Sequence, residues 1–147
     1  MVYAIEEWAY LAGLFDGEGS ISSCTHGDKN LHPLLDVLIY NTSKDLMEYL
    51  LRRFGEFGKI YSWKERRSSF PGKKILFRFQ ISNFQKQEIF LKNIFPFLQV
   101  KREHVGLALR YLESRIPERG RGKRFPLTPE QKDLIYSLKK LNSKEET

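Results

Sequence analysis

The sequence has few of the residues that a disulfide framework, a thiolate metal site or a membrane anchor requires. Cys24 is the only cysteine among 147 residues, which excludes an intrachain disulfide and a zinc site built from thiolates. No uncharged run exceeds nine residues, whereas a membrane-spanning helix needs about 20 apolar residues. The first seven residues, Met1–Glu7, lack the basic and apolar regions of a signal peptide. We therefore expect an intracellular protein, in the cytoplasm or an organelle matrix.

The chain carries an excess of positive charge. Lys and Arg number 25 against 18 Asp and Glu, which gives a formal net charge of +7. Apolar residues at 41% and aromatic residues at 14% exclude a disordered basic tail. The densest basic stretch, residues 115–124, holds five basic residues and one acid beside Gly and Pro. A basic, folded chain of this kind favours a nucleic-acid partner, with simple solubility as the alternative.

The apolar periodicity predicts an α+β fold in one domain, residues 1–147. Strands are predicted at 20–25, 35–40, 59–63 and 74–82, with a hairpin loop at 66–72. Helices are predicted at 5–15, 44–54, 85–95, 101–114 and 128–141, the last after a basic loop at about 115–127. Two hairpins joined through a helix give a four-stranded antiparallel sheet with helices on one face. The first helix has apolar residues on every side, which is typical of a fully buried helix.

The other face of the sheet is predicted to read DNA. Strand alternation places a mixed polar and aromatic set there: Ser20, Ser22, Cys24, Asp36, Leu38, Tyr40, Tyr61, Trp63, Arg78 and Gln80. An exposed cluster of Leu38 and three aromatic residues argues against a merely solvated face. Arg78 would pair with guanine and Gln80 with adenine in the major groove. Further DNA contacts, mainly to phosphates, are predicted for loop residues Arg66, Arg67, Arg119, Arg121 and Lys123.

The segment Leu11–Gly19 contains the residues that indicate a chemical function. Gly13 and Gly17 lie one helical turn apart, and small residues at this spacing let two helix backbones approach closely. The helix then ends in two carboxylates, Asp16 and Glu18, although carboxylates at a helix C-terminus are disfavoured by about 0.3–1 kcal/mol. A divalent cation would compensate, because hard cations prefer carboxylate and carbonyl oxygens. The alternative is an acidic turn that simply ends a helix.

The same nine residues resemble the signature of the LAGLIDADG homing endonucleases, with Phe15 and Glu18 as variations. Pro96–Lys101 is similar to a second recurring segment of that family. The resemblance implies that two such helices pack together and that each delivers one acid to a shared active site. One motif per chain therefore implies a homodimer, with the interface predicted at Leu11, Ala12, Gly13 and Asp16.

The resemblance also implies an activity. We expect a site-specific double-stranded DNA endonuclease that acts at a long, nearly palindromic site with Mg²⁺ or another divalent cation. Glu18 would be the metal ligand and catalytic acid, assisted by the Gly17 carbonyl. Lys101 would lie at the edge of the active site and Asn41 at the end of the second strand, both as catalytic residues. The alternative is a non-cleaving RNA-splicing maturase or a DNA-binding regulator on the same fold.

Overall fold

The protein is described from a computed structural model that covers residues 2–24, 34–63, 75–115 and 128–145. Its elements, in chain order, are α1 Ile5–Glu18, β1 Gly19–Cys24, β2 Leu34–Asn41, α2 Lys44–Phe54, β3 Lys59–Trp63, β4 Leu76–Ile81, α3 Phe84–Ile94, a 3₁₀ turn Phe95–Phe97, α4 Arg102–Ser114 and α5 Pro129–Glu145. The predicted element order is confirmed. No helix in the described ranges is long and apolar enough to cross a membrane.

The four strands form one antiparallel sheet in the order β1-β2-β4-β3. The predicted fold class is therefore confirmed. A buried side chain of α3 pins the two central strands, because Gln87 Nε2 donates to the carbonyls of Leu35 and Ile81 at 2.5 and 2.7 Å. These two bonds fix the position of α3 along the sheet and satisfy backbone acceptors that lie in the core.

The core lies between the sheet and the helices. Its largest fully buried side chains are aromatic: Phe15, Phe54, Phe79, Phe90 and Tyr111. Strand alternation sends Phe79 and Ile81 of β4 into this core, as their spacing predicts. Residue Ile75, assigned by the sequence to the same strand, lies before β4 and is 39% exposed.

Helix α1 is not buried on every side, which corrects the sequence-based prediction. Trp8, Leu11, Ala12 and Phe15 face the core. The opposite side is open, with Ile5 70% and Tyr10 52% exposed. Periodicity in the sequence could not separate these two sides, because both carry apolar or small residues.

Helix α5 begins at the predicted capping box. The Thr128 hydroxyl accepts from the Gln131 N–H at 3.2 Å, and the Gln131 side chain accepts from the Thr128 N–H at 3.0 Å. The helix runs to Glu145 rather than ending near residue 141. One reason is Asn142, whose side chain donates to the carbonyl of Ile21 in β1 at 2.9 Å and ties the helix to the sheet.

Candidate active site and nucleic-acid interface

The candidate active site is built around the junction of α1 and β1, where the helix passes directly into the strand. Gly19 makes this junction possible, since a Cβ at this position would lie 2.2 Å from the Phe15 ring. The strand can therefore start against the last turn of the helix. Glu18, the residue before Gly19, is exposed at this corner. Its carboxylate is free to meet a ligand, and among the described residues it forms no ion pair.

Asp16 binds a turn of the polypeptide that precedes α4. Its carboxylate accepts the N–H groups of Gln99, Val100 and Lys101 at 2.8, 3.1 and 3.0 Å. Three successive N–H groups around one carboxylate form a nest, which compensates the charge that the end of the helix disfavours. These bonds engage both Asp16 oxygens within the same chain, and the placement of Asp16 in a dimer interface stays a prediction.

The turn held by Asp16 brings Lys101 to the corner. The Lys101 ammonium donates to the carbonyl of Gly19 and lies 5.9 Å from the centre of the Phe15 ring. Lys101 is half-buried. A cation thus contacts the residue next to Glu18, and the catalytic role of Lys101 stays a prediction.

The oxygen donors at the corner fit a hard divalent cation, but among the described residues they do not complete a site. Glu18 offers an exposed carboxylate, and Gly17 lies in the last helical turn, where carbonyls lack an intrahelical partner. In the described ranges, no group of three or more His, Cys, Asp or Glu side chains could hold a metal ion. Further ligands would have to come from beyond these residues, for example from a second copy, DNA or water.

Asn41 is engaged elsewhere in the structure. Its Oδ1 accepts the N–H of Ser43 at 2.7 Å, which shapes the turn into α2. Within the described part of the chain it forms no hydrogen bond with Glu18 or Lys101. Its assignment as a catalytic residue remains a prediction, and the local contact explains a polar amide at this position without catalysis.

The exposed side of α1 differs from the predicted interface. Leu11 and Ala12 are 0% exposed in the core of this chain, so their side chains have no surface left for a partner. Gly13 and Gly17 are exposed, and a Cβ at either position would meet no atom of the described residues within 4 Å, the local helix backbone aside. The surface that a second helix could approach therefore includes Gly13, which the sequence places in the interface, and Gly17. It also includes the exposed Tyr10, which the sequence did not single out.

The sheet face opposite the helices carries the predicted reading residues. Register places Tyr40 and Tyr61 on either side of Arg78. The Arg78 guanidinium lies 5.0 Å from the centre of the Tyr61 ring, which is itself 44% exposed. Leu38 lies between Ser20 and Gln80 and is only 6% exposed. It therefore belongs to a covered centre of the face, not to an exposed apolar cluster as predicted.

A hydrogen-bonded trio occupies the same face at the outer end of β4. Gln80 Nε2 donates to Asp36 Oδ1 at 3.1 Å and to Ser82 Oγ at 3.0 Å. The Ser82 hydroxyl in turn donates to Asp36 Oδ1 at 3.1 Å. The sequence prediction omitted Ser82 from the reading set, although the alternation that turns Gln80 outward turns Ser82 outward as well.

Several predicted DNA contacts lie outside the described residues. These are Arg66, Arg67, Arg119, Arg121 and Lys123. Cys24 and Trp63 are described only by their backbone, which pairs with Leu34 and Leu76 respectively. Ser20 and Ser22 are half-exposed on β1, in register with Leu38 and Asp36.

Comparison with known families identifies the class of this chain. Residues 6–94 match the family model of a LAGLIDADG-like domain, which is more than half of the 147 residues. The chain belongs to the LAGLIDADG family, and the resemblance predicted from Leu11–Gly19 is confirmed. A comparison with curated proteins finds no match.

Solved structures of two homing endonucleases and a meganuclease share this fold at low sequence identity. I-CvuI in complex with the I-CreI target and Mg has a TM-score of 0.60 at 15% identity, covering 93% of this chain and 95% of its own. The archaeal intron-encoded I-Vdi141I, complexed with DNA, has a TM-score of 0.57 at 13% identity. The match covers 93% of this chain and 97% of that chain. I-SmaMI bound to uncleavable DNA has a TM-score of 0.60 at 21% identity. The match covers 90% of this chain but 43% of that chain.

Proposed function

We propose that this protein is a site-specific double-stranded DNA endonuclease of the homing type that acts as a homodimer with a divalent cation. The observation that carries the proposal is the corner itself: an exposed carboxylate, Glu18, beside an ammonium, Lys101, that the Asp16 nest holds in place. Phosphodiester hydrolysis needs both an acidic metal ligand and a positive group near the developing charge.

The two exposed glycines of α1 support the proposed homodimer. A helical glycine costs about 1 kcal/mol relative to alanine, and no described residue lies close enough to Gly13 or Gly17 to exclude a Cβ. Glycine at these positions is explained by a second helix approaching from outside. A two-fold axis along this side would bring Glu18 of each copy together at one end of the paired helices.

The residues at the corner have distinct roles in the proposed reaction. Glu18 and the Gly17 carbonyl would hold the cation, which when bound activates water and stabilises the leaving 3′ oxygen. Lys101 stabilises negative charge on the phosphate. Asp16 is a positioning residue, because it contacts the backbone of Lys101 rather than the substrate.

The solved relatives support this proposal through the proteins that they describe. I-CvuI and I-Vdi141I are homing endonucleases crystallised with DNA, the former in one structure with Mg and in another with Ca. This chain covers almost all of both. It covers less than half of I-SmaMI. This coverage is expected if our chain supplies one half of a symmetric site.

The test is cleavage of a randomised double-stranded DNA library with Mg²⁺ present and absent, followed by sequencing of the cut ends. The proposed function requires cuts in both strands at one long, nearly palindromic site, in Mg²⁺ only. Binding of such a site without any cut would favour the DNA-binding regulator. Selective binding of a structured intron RNA in place of DNA would favour the maturase.

A further inference from the structure

The outer edge of strand β1 receives side-chain donors from two helices. The Lys101 ammonium donates to the Gly19 carbonyl, and the Asn142 amide donates to the Ile21 carbonyl at 2.9 Å. In the described sheet, β1 is a terminal strand and pairs with β2 alone. Residues two apart in an antiparallel strand direct their backbone groups to the same edge. The carbonyls of Gly19 and Ile21 therefore both point away from β2, and each is satisfied by a helix instead of a strand.

The two helices form one unit that holds the strand. Lys101 is the N-cap residue of α4, Asn142 lies in the last turn of α5, and α5 packs against α4. Asn142 is half-buried and Ile21 is 2% exposed, so water competes little for their hydrogen bond. The Lys101 ammonium has three N–H donors, and its bond to Gly19 leaves two for the phosphate of the proposed reaction.

The first of the two carbonyls belongs to the residue that follows Glu18. Gly19 donates its N–H to the carbonyl of Phe15 in α1 and accepts the Lys101 ammonium at its own carbonyl. The peptide groups on both sides of Gly19 are therefore held. The bond at Ile21 holds the strand two residues further on. The backbone that carries Glu18 into the corner is thus anchored by α1 before it and by β1 after it.

We infer that Asn142 is a positioning residue for the corner formed by α1 and β1. Its amide holds β1 three residues after Glu18, so it fixes the direction in which the strand leaves the helix and, with it, the position of the Glu18 carboxylate. The consequence for cation binding and cleavage rests on the proposed function, whereas the consequence for the backbone does not. Asn142 lies outside residues 6–94, which match the family model, so the C-terminal helix adds this contact to the matched part of the chain.

Amide exchange and cleavage by the full-length protein test this role together. Asn142→Asp keeps the shape of the side chain but replaces the donating amide by an acceptor. The Gly19 N–H should then exchange with solvent about fivefold faster relative to the N–H of Phe79 in the central strand β4, as expected for the loss of one hydrogen bond from a local opening equilibrium. The Mg²⁺ concentration for half-maximal cleavage should rise by about the same factor, with unchanged DNA binding in Ca²⁺. Asn142→Ala, which removes the donor without adding a charge, should give the same two changes.

Ser143→Ala is the matched control. It removes a hydroxyl that donates to the Lys140 carbonyl within α5, on an exposed residue beside Asn142, and it should change neither quantity. Wild-type Gly19 exchange in both Asn142 variants would overturn the inference, as would faster exchange with an unchanged Mg²⁺ requirement. Equal changes in Ser143→Ala would assign the effect to loosening of α5 and overturn it as well. A wild type that cuts no DNA would overturn the proposed function instead, while Gly19 exchange would still decide whether Asn142 holds the corner.

Discussion

Both ends of helix α1 carry carboxylate side chains, but in different surroundings. At the N-terminal end, Glu7 is hydrogen-bonded to Arg53 of α2 at 2.7 Å, and Tyr3 donates to Glu56 at 2.5 Å. The rings of Tyr3 and Trp8 pack on Phe54. At the C-terminal end, Glu18 is exposed beside Lys101, with no ion pair among the described residues.

The helix dipole explains why carboxylates at the two ends of α1 differ in their effect on stability. Carboxylates in the first turn, such as Glu6 and Glu7, lie at the positive pole, where they are stabilising. Asp16 and Glu18 lie at the negative pole, and of these two only Asp16 is compensated by the described residues, through the nest of N–H groups. We infer that the N-terminal end serves stability and the C-terminal end serves chemistry. Substitutions at the two ends should therefore separate stability from cleavage.

The largest effect is expected for Glu18→Gln. The amide keeps the shape of the side chain but removes the charge that binds the cation, so cleavage should fall by about a thousandfold or more while DNA binding persists. Single-turnover cleavage in Mg²⁺ and a binding assay in Ca²⁺ measure the two quantities. Glu6→Gln, at the exposed opposite end of the same helix, is the control and should cut normally. A Glu18→Gln protein that cuts at the wild-type rate would exclude Glu18 from the active site.

The middle of the helix should control assembly. Gly13→Val is expected to force two α1 helices apart and yield monomers, since a branched side chain would fill the space in which a second backbone lies. Sedimentation at several concentrations measures this. Gly106→Ala in α4 controls for helix propensity, because the new Cβ would lie 3.9 Å from Phe95 at its nearest, in ordinary contact. If Gly13→Val sediments as the wild type does, the dimer uses another surface.

A smaller loss of activity is expected for Asp16→Ala. Loss of the nest should free the turn that carries Lys101. Cleavage should then slow by about tenfold to a hundredfold, the usual loss when a residue that orients an active-site group is removed. A double-mutant cycle with Lys101→Ala separates positioning from general destabilisation. If Asp16 acts through Lys101, the double variant should be no slower than Lys101→Ala alone. Additive losses would contradict this role.

The smallest effect is expected at the N-terminal end, in the pH dependence of stability. The hydrogen bond to Arg53, together with its charge, lowers the pKa of Glu7 in the folded state. A lowered folded-state pKa means that the stabilisation is present at neutral pH and is lost as the pH falls through that pKa. Between about pH 6 and pH 3, the midpoint temperature of thermal unfolding should therefore fall less steeply with pH in Glu7→Gln than in the wild type. Cleavage by the variant should be unchanged. Glu48→Gln on α2 should retain the wild-type slope.

The sequence predicted the elements better than it predicted their surroundings. Strand alternation and capping signals are local, so β3, α2 and the Thr128–Gln131 box are found where predicted. Helix α1 shows the limit, because apolar and small residues on both sides hide which side meets the core. The Asp16 nest was also out of reach, since it joins residues more than 80 positions apart. Leu38 was misjudged because neighbouring side chains cover it on a face that alternation marks as outward.

The bond between Asn142 and Ile21 has a consequence for how the chain is made. It joins residues 121 positions apart, and it ties α5 to β1, a strand at the edge of the sheet. An edge strand with unsatisfied backbone groups is a template for pairing with another chain. During synthesis β1 is made more than a hundred residues before Asn142. The nascent protein therefore passes through an interval in which the Ile21 carbonyl lacks this partner, and contacts of such long range form late.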